Sequence, residues 1–136
     1  MGLRRIPWQI RSVRVLVAAE SFLPAVNGVT HTVERTLDHL ALRGHDVLLV
    51  APGPGAPRQY AGFPVIEVPS FPWMGMRVGW PSRLMKLAIE GFKPDVLHAA
   101  APFSLGYQAL WAADTRGIPT VAVFQTDLAG FARRNR

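Results

Sequence analysis

Along the chain, short and almost unbroken apolar runs take turns with longer segments in which apolar residues return every three or four positions. Val13 to Ala19 (VRVLVAA) is such a run, rich in valine, as expected of a parallel strand covered on both faces. After the loop ESFLPAVNG, Val33, Leu37, Leu40 and Ala41 recur at helical spacing from Thr30 to Arg43, with Val29 just ahead of them. Gly44 stands where a glycine terminates a helix. The unit is strand, loop, helix.

The unit returns. Asp46 to Ala51 reads as a second strand, PGPGAP as a turn and Val65 to Val68 as a short third strand. An irregular segment, PSFPWMGMRVGWPS, leads to a helix from Ser82 to Phe92, which Pro94 ends. Val96 to Ala99, a helix from Ser104 to Arg116 and Thr120 to Phe124 complete a fourth strand, its crossover and a fifth strand. Strands alternating with helices predict an α/β fold with a doubly wound, Rossmann-like parallel sheet in which the first strand lies beside the fourth. Ligands bind outside the carboxyl ends of such strands, so the loops after Ala19, Ala99 and Phe124 are the ones to read for chemistry.

Length and composition narrow this picture. A chain of 136 residues accommodates one such domain and not two. With 49% hydrophobic and 18% charged residues it has the composition of a folded protein. Residues 1–12 form a basic N-terminal extension and 13–136 the domain. The net charge of +6 is carried largely by arginines near the ends, Arg4, Arg5, Arg11 and Arg14 in front and Arg133, Arg134 and Arg136 behind. These permit contact with phosphates or anionic headgroups, or are simply solvated. No nucleic-acid-binding motif accompanies them, so nucleic acid is not an expected partner. There is no cysteine, hence no disulfide framework or thiolate metal site, and His39 and His45 lack a ligand pattern; neither metal nor cofactor is expected. The start resembles a signal sequence, but Arg14 and Glu20 interrupt its apolar run, and neither a cleaved signal nor a membrane span is expected.

The first loop offers Glu20, Asn27, Gly28 and Thr30 as substrate-binding candidates. A glycine at a helix N-terminus lets a phosphate approach free backbone N–H groups, and the helix dipole favours its charge. The competing reading of Asn27-Gly28 is a turn with a positive backbone angle. The spacing is neither G-x-G-x-x-G nor a Walker A loop. In FQTDLAGFARR, Gln125, Thr126 and Asp127 emerge from an apolar strand and can orient sugar hydroxyls, or Asp127 can cap a helix. His98 falls inside a strand as a packed core residue. Phe71 to Trp80, with Trp73, Met74, Met76, Arg77 and Trp80, suits an amphipathic or membrane-interface wall, or core filling under a loop.

Taken together, ESFLPAVNGVTHTVERTLDHLALRGHDVLLVAPG, PDVLHAAAPFSLGYQAL and GIPTVAVFQTDLAGFARR resemble the N-terminal domain of retaining GT-B glycosyltransferases of family four. The likeness extends to actinobacterial GDP-mannose-dependent alpha-mannosyltransferases acting on lipid-linked acceptors. It implies transfer of a hexosyl group from a sugar nucleotide between two facing domains, the first holding mainly the acceptor. Gly28 would approach the donor diphosphate or an acceptor phosphate. Gln125 and Asp127 would be the catalytic positions and Thr126 a substrate contact; many members carry histidine where Gln125 stands, so this chain offers a polar group there but no imidazole. The resemblance further implies retention without a protein nucleophile, a second domain beyond these residues, no activity for the chain alone, and a cytoplasmic setting with peripheral contact at the inner face of the membrane. The alternative is a non-catalytic module binding a phospho-sugar or lipid headgroup.

Overall fold

The structure, a computed structural model, describes residues 11–101 and 103–124. Its elements in chain order are β1 (Arg14–Ala19), α1 (Gly28–Leu42), β2 (Asp46–Pro52), β3 (Gln59–Tyr60), β4 (Phe63–Val68), β5 (Ser70–Trp73), β6 (Met76–Gly79), α2 (Leu84–Phe92), β7 (Val96–Ala100), α3 (Leu105–Asp114) and β8 (Thr120–Val123). The main sheet has the order β3-β4-β2-β1-β7-β8. β1 pairs in parallel with both β2 and β7, with Val15 opposite Val47 on one side and Val96 on the other. The first strand therefore does lie beside the fourth run read from the sequence.

Strictly parallel pairing does not hold throughout. β3 joins β4 antiparallel through Gln59–Pro64 and Tyr60–Phe63, so the sheet is mixed, because the tight Ala61-Gly62 turn returns the chain directly instead of through a crossover. The segment expected to be irregular is also ordered: β5 and β6 form a two-stranded antiparallel hairpin from Ser70↔Gly79 to Trp73↔Met76. Met74 (φ 50°) and Gly75 (φ 77°) at its tip both have positive φ, the backbone pattern that matches a two-residue turn to the strand twist.

Side chains alternate across β1. Leu16 and Ala18 face a cluster with Leu48, Val50 and Leu97, covered by Met85 and Ile89 of α2 and by Leu105, Ala109 and Ala113 of α3. Val15, Val17 and Ala19 face the other, with Val47, Leu49, Phe22 and the α1 residues Val33 and Leu37. Leu37 is fully buried, a contribution of about 2 kcal/mol. α1 ends as the sequence indicates. Gly44 has φ 76°, its N–H donates to the Ala41 carbonyl at 3.1 Å, and the His45 N–H donates to the Leu40 carbonyl at 3.0 Å, the paired bonds of a glycine C-terminal motif.

Arg14, counted in the sequence among the basic residues near the N-terminus, belongs to the amino end of the sheet. Its guanidinium meets the Asp46 carboxylate at 2.9 Å, donates twice to the Phe92 carbonyl at 2.9 and 2.6 Å, and lies 4.3 Å from the Phe92 ring centroid. It fastens β1 to β2 and to the end of α2. That places it at the opposite edge of the sheet from the ligand-facing loops.

Candidate functional site

At the carboxyl edge, β1 delivers its chain into a loop that ends at the N-terminus of α1. Asn27 caps that helix: its Oδ1 accepts the Thr30 N–H at 2.9 Å, and its Nδ2 donates to Ser21 Oγ at 2.7 Å. Ser21 Oγ and Thr30 Oγ1 are 3.2 Å apart, a hydrogen bond in which either hydroxyl can donate. The carbonyl of Asn27 accepts from His31 N–H at 3.0 Å. Thr30 is fully buried, so of the predicted substrate contacts it supports the loop from inside. The cap consumes the third and fourth amides. Those of Gly28 and Val29 have no partner among the described residues.

Gly28 itself is informative. Asn27 is extended (φ −159°), Gly28 begins the helix, and its φ is not in the left-handed region; the positive-angle turn considered for Asn27-Gly28 is not present. A Cβ built on Gly28 meets nothing within 4 Å. Neither backbone conformation nor internal packing asks for glycine here. What the missing side chain provides is unobstructed access to two unpaired N–H groups at the positive end of a helix.

The neighbouring helix end is already filled. Glu20, only 7% exposed, leaves β1 and places Oε1 at 2.7 Å from the Phe103 nitrogen and 2.6 Å from the Gly106 nitrogen, accepting both N–H groups at the start of α3. Burial pushes its carboxyl above the usual carboxylate range, with the backbone hydrogen bonds from Gly106, Phe103, Leu105 and Ser104 working against that rise. Sequence reading named Glu20 as a substrate contact. The structure gives its Oε1 to α3, so the residue ties the two loops of the cleft together.

The β5–β6 hairpin stands beside these loops. Ser104 Oγ donates to the Gly79 carbonyl at 2.7 Å, a Cβ on Gly79 would come within 2.6 Å of Leu105, and Trp73 stacks on Phe103 with centroids 5.7 Å apart and planes 11° from parallel. The segment is amphipathic and fills core only in part: Val78 is buried, while Trp73 and Trp80 are exposed. The sequence offered this segment as an amphipathic wall but not as a hairpin; Met74-Gly75 was the available turn signal. His98 lies within β7 as expected but is only half-buried there and is not a packed core residue; its partial burial lowers its pKa. Gln125, Thr126 and Asp127 lie outside the described residues. No group of three or more potential metal ligands occurs among the described residues, and no helix among them is long and apolar enough to cross a membrane.

A mixed α/β sheet, an open helix N-terminus after its first strand and a second one held by the Glu20 side chain fit the N-terminal GT-B-like domain to which the sequence comparisons assign the chain. The chain belongs to Glycosyltransferase Family 4, whose family model matches residues 26–136. It is 50% identical over 128 residues to the GDP-mannose-dependent alpha-mannosyltransferase of Mycolicibacterium smegmatis, covering 88% of this chain and 34% of that relative. Against the protein of the same name from Mycobacterium tuberculosis it is 49% identical over 128 residues, 88% of this chain and 34% of the relative. Against that of Corynebacterium glutamicum it is 42% identical over 132 residues, 92% of this chain and 32% of the relative. The chain thus spans about a third of the length of the curated relatives it matches.

Proposed function

We propose that this chain is the acceptor-side part of a retaining GT-B mannosyltransferase, a doubly wound half that works with a donor-binding second domain. The reaction moves a mannosyl group from GDP-mannose to a lipid-linked or other acceptor, with peripheral contact at the inner face of the cytoplasmic membrane. The donor and sugar come from what the relatives are named for. The observation that carries the reading is Gly28, whose lack of a side chain has no internal reason and leaves two amides free beside the first strand.

In this reading the Gly28 and Val29 N–H groups hold a diphosphate oxygen as negative charge builds on the leaving phosphate. Asn27 holds the helix end in place, and Glu20 keeps the α3 loop at a fixed distance from it. Gln125 and Asp127 take the positions nearest the reacting sugar, with Thr126 and Glu20 Oε2 completing the substrate contacts. Catalysis then rests on positioning and charge stabilisation and needs no protein nucleophile.

The test pairs this chain with a donor-binding domain. The chain is mixed with a separately produced C-terminal two thirds of the Mycolicibacterium smegmatis relative, GDP-[14C]mannose and a membrane lipid extract. Transfer of label to lipid that requires both polypeptides and fails with Gly28→Val supports the proposal. Saturable binding of a phospho-sugar by the chain, with no transfer in any combination, supports the non-catalytic module instead.

A further inference from the structure

A cleft of about 420 Å3 opens at the carboxyl ends of β2 and β4, lined by Gly53, Pro54, Glu67, Val68, Trp80 and Leu84 among others. It is separate from the open end of α1 but adjoins its loop, since a Cβ on Gly55 would sit 3.6 Å from Pro24.

The lining carries a particular chemistry. Glu67 Oε1 accepts the Ala56 N–H at 2.8 Å, which orients the carboxylate and leaves Oε2 without a partner among the described residues. Gly53 is what admits that carboxylate: a Cβ there would lie 2.3 Å from the Glu67 Cδ. Trp80 lines the cleft, is braced by Phe71 with centroids 4.9 Å apart, and remains 54% exposed. The wall behind is stiffened by Ser70, whose hydroxyl donates to the Gly53 carbonyl and accepts from Arg77 Nε at 2.9 Å.

An oriented carboxylate beside an accessible indole suits a ring with an apolar C–H face and hydroxyls around its edge. The C–H groups carry partial positive charge and settle on the negative face of the indole. Adjacent hydroxyls donate to the carboxylate, exchanging water for charge-assisted hydrogen bonds. An aliphatic chain would strip water from Glu67 and return nothing. A purine with two donors on one edge meets the same two groups and is the rival ligand.

We propose that this cleft is a pyranose subsite, holding one sugar ring of the glycosyl acceptor stacked on Trp80 with its vicinal hydroxyls on Glu67. It rests on the reading of the chain as an acceptor-side half and adds where an acceptor sugar is gripped, apart from the phosphate-facing loop.

The test is a set of two-dimensional 15N NMR titrations of the full chain, with the Trp80 indole resonance assigned by Trp80→Phe. Methyl α-D-mannopyranoside and methyl α-D-glucopyranoside are expected to shift the Trp80 indole and the Ala56 and Gly53 amides saturably, with a Kd on the order of 1–10 mM for a single ring. Glu67→Gln keeps an acceptor for Ala56, preserves the remaining spectrum and weakens binding about fivefold; Trp80→Ala abolishes it. Octyl glycosides below their micelle concentration separate the sources: tighter binding than the methyl glycosides indicates a glycolipid, equal binding a soluble sugar. Absence of saturable shifts with every glycoside, or binding unchanged in both variants, overturns the proposal. So does a GMP titration that moves the same resonances at lower concentration. Inorganic pyrophosphate is titrated in parallel and read at the Gly28 and Val29 amides, so failure of the phosphate reading is seen separately.

Discussion

Gly28→Ala separates a glycine kept for the fold from one kept for a ligand. The added methyl enters open space and the backbone is not left-handed, so the folded state carries no strain from it. Alanine loses less chain entropy than glycine on entering a helix, by up to about 1 kcal/mol in an interior position and about half that in the first turn. The variant is therefore expected to be more stable by about 0.5 kcal/mol, a rise in Tm of about 2 °C for a domain of this size. Binding should move the opposite way. If the methyl obstructs the Gly28 and Val29 amides, one or two charge-assisted hydrogen bonds to an anion are lost, about 1.5–3 kcal/mol, or roughly 10- to 100-fold in pyrophosphate affinity. Differential scanning calorimetry reads the first quantity and isothermal titration calorimetry the second. A drop in stability of more than 1 kcal/mol would show that the fold needs glycine there. Unchanged pyrophosphate affinity in a stabilised variant would refute the argument that the bare position serves a ligand.

Glu20 gives a pH dependence with a definite sign. Its folded pKa lies above the unfolded value of 4.5, so its contribution is fully present below that pH and declines as pH rises through the folded pKa. Urea melts from pH 4 to 8 should show this decline in the native chain and its absence in Glu20→Gln, which keeps an acceptor for the two amides; parallel curves would contradict it. Glu20→Ala strands both N–H groups and should cost about 2–4 kcal/mol by the same melts at pH 7. Asn27→Ala removes the α1 cap and should cost about 1 kcal/mol, with faster amide exchange at Thr30 as its local signature. Gly79→Ala forces Leu105 aside and should cost about 1–3 kcal/mol in thermal unfolding, while the same change at solvent-facing Gly91 should not destabilise.

The centre of the sheet was legible because its strands are buried on both faces: VRVLVAA and DVLLVA admit no amphipathic alternative, and β1, β2 and β7 fall within a residue of the expected limits. Gly44 marked the end of α1 for a reason that is local to the backbone. The hairpin was missed because Pro72 and Gly75 suggest irregular chain, and the period-two signal is spread over only four residues in each strand. β3, two residues long, carries no pattern at all. At the site, Asn27 and Gly28 could be found because a capping residue and a glycine sit beside a helical pattern. The role of Glu20 could not, since its partners are 83 and 86 residues away and become neighbours only when β1 and β7 pair. Glu67 was passed over for the same kind of reason: its place depends on Gly53 in another strand's loop.

Glu20 also sets a direction across the cleft. Of the helices whose positive ends face the carboxyl edge of the sheet, α3 already gives amides to an internal carboxyl oxygen, while the Gly28 and Val29 amides of α1 have no partner among the described residues. The electrostatic potential is therefore lopsided, attractive to an anion over α1 and neutralised over α3. Because Glu20 fills the α3 end in either protonation state and adds a full negative charge only when ionised, the gradient steepens as pH rises through its elevated pKa. An elongated ligand with one charged end thus meets a pocket that distinguishes its two possible orientations before any side chain touches it.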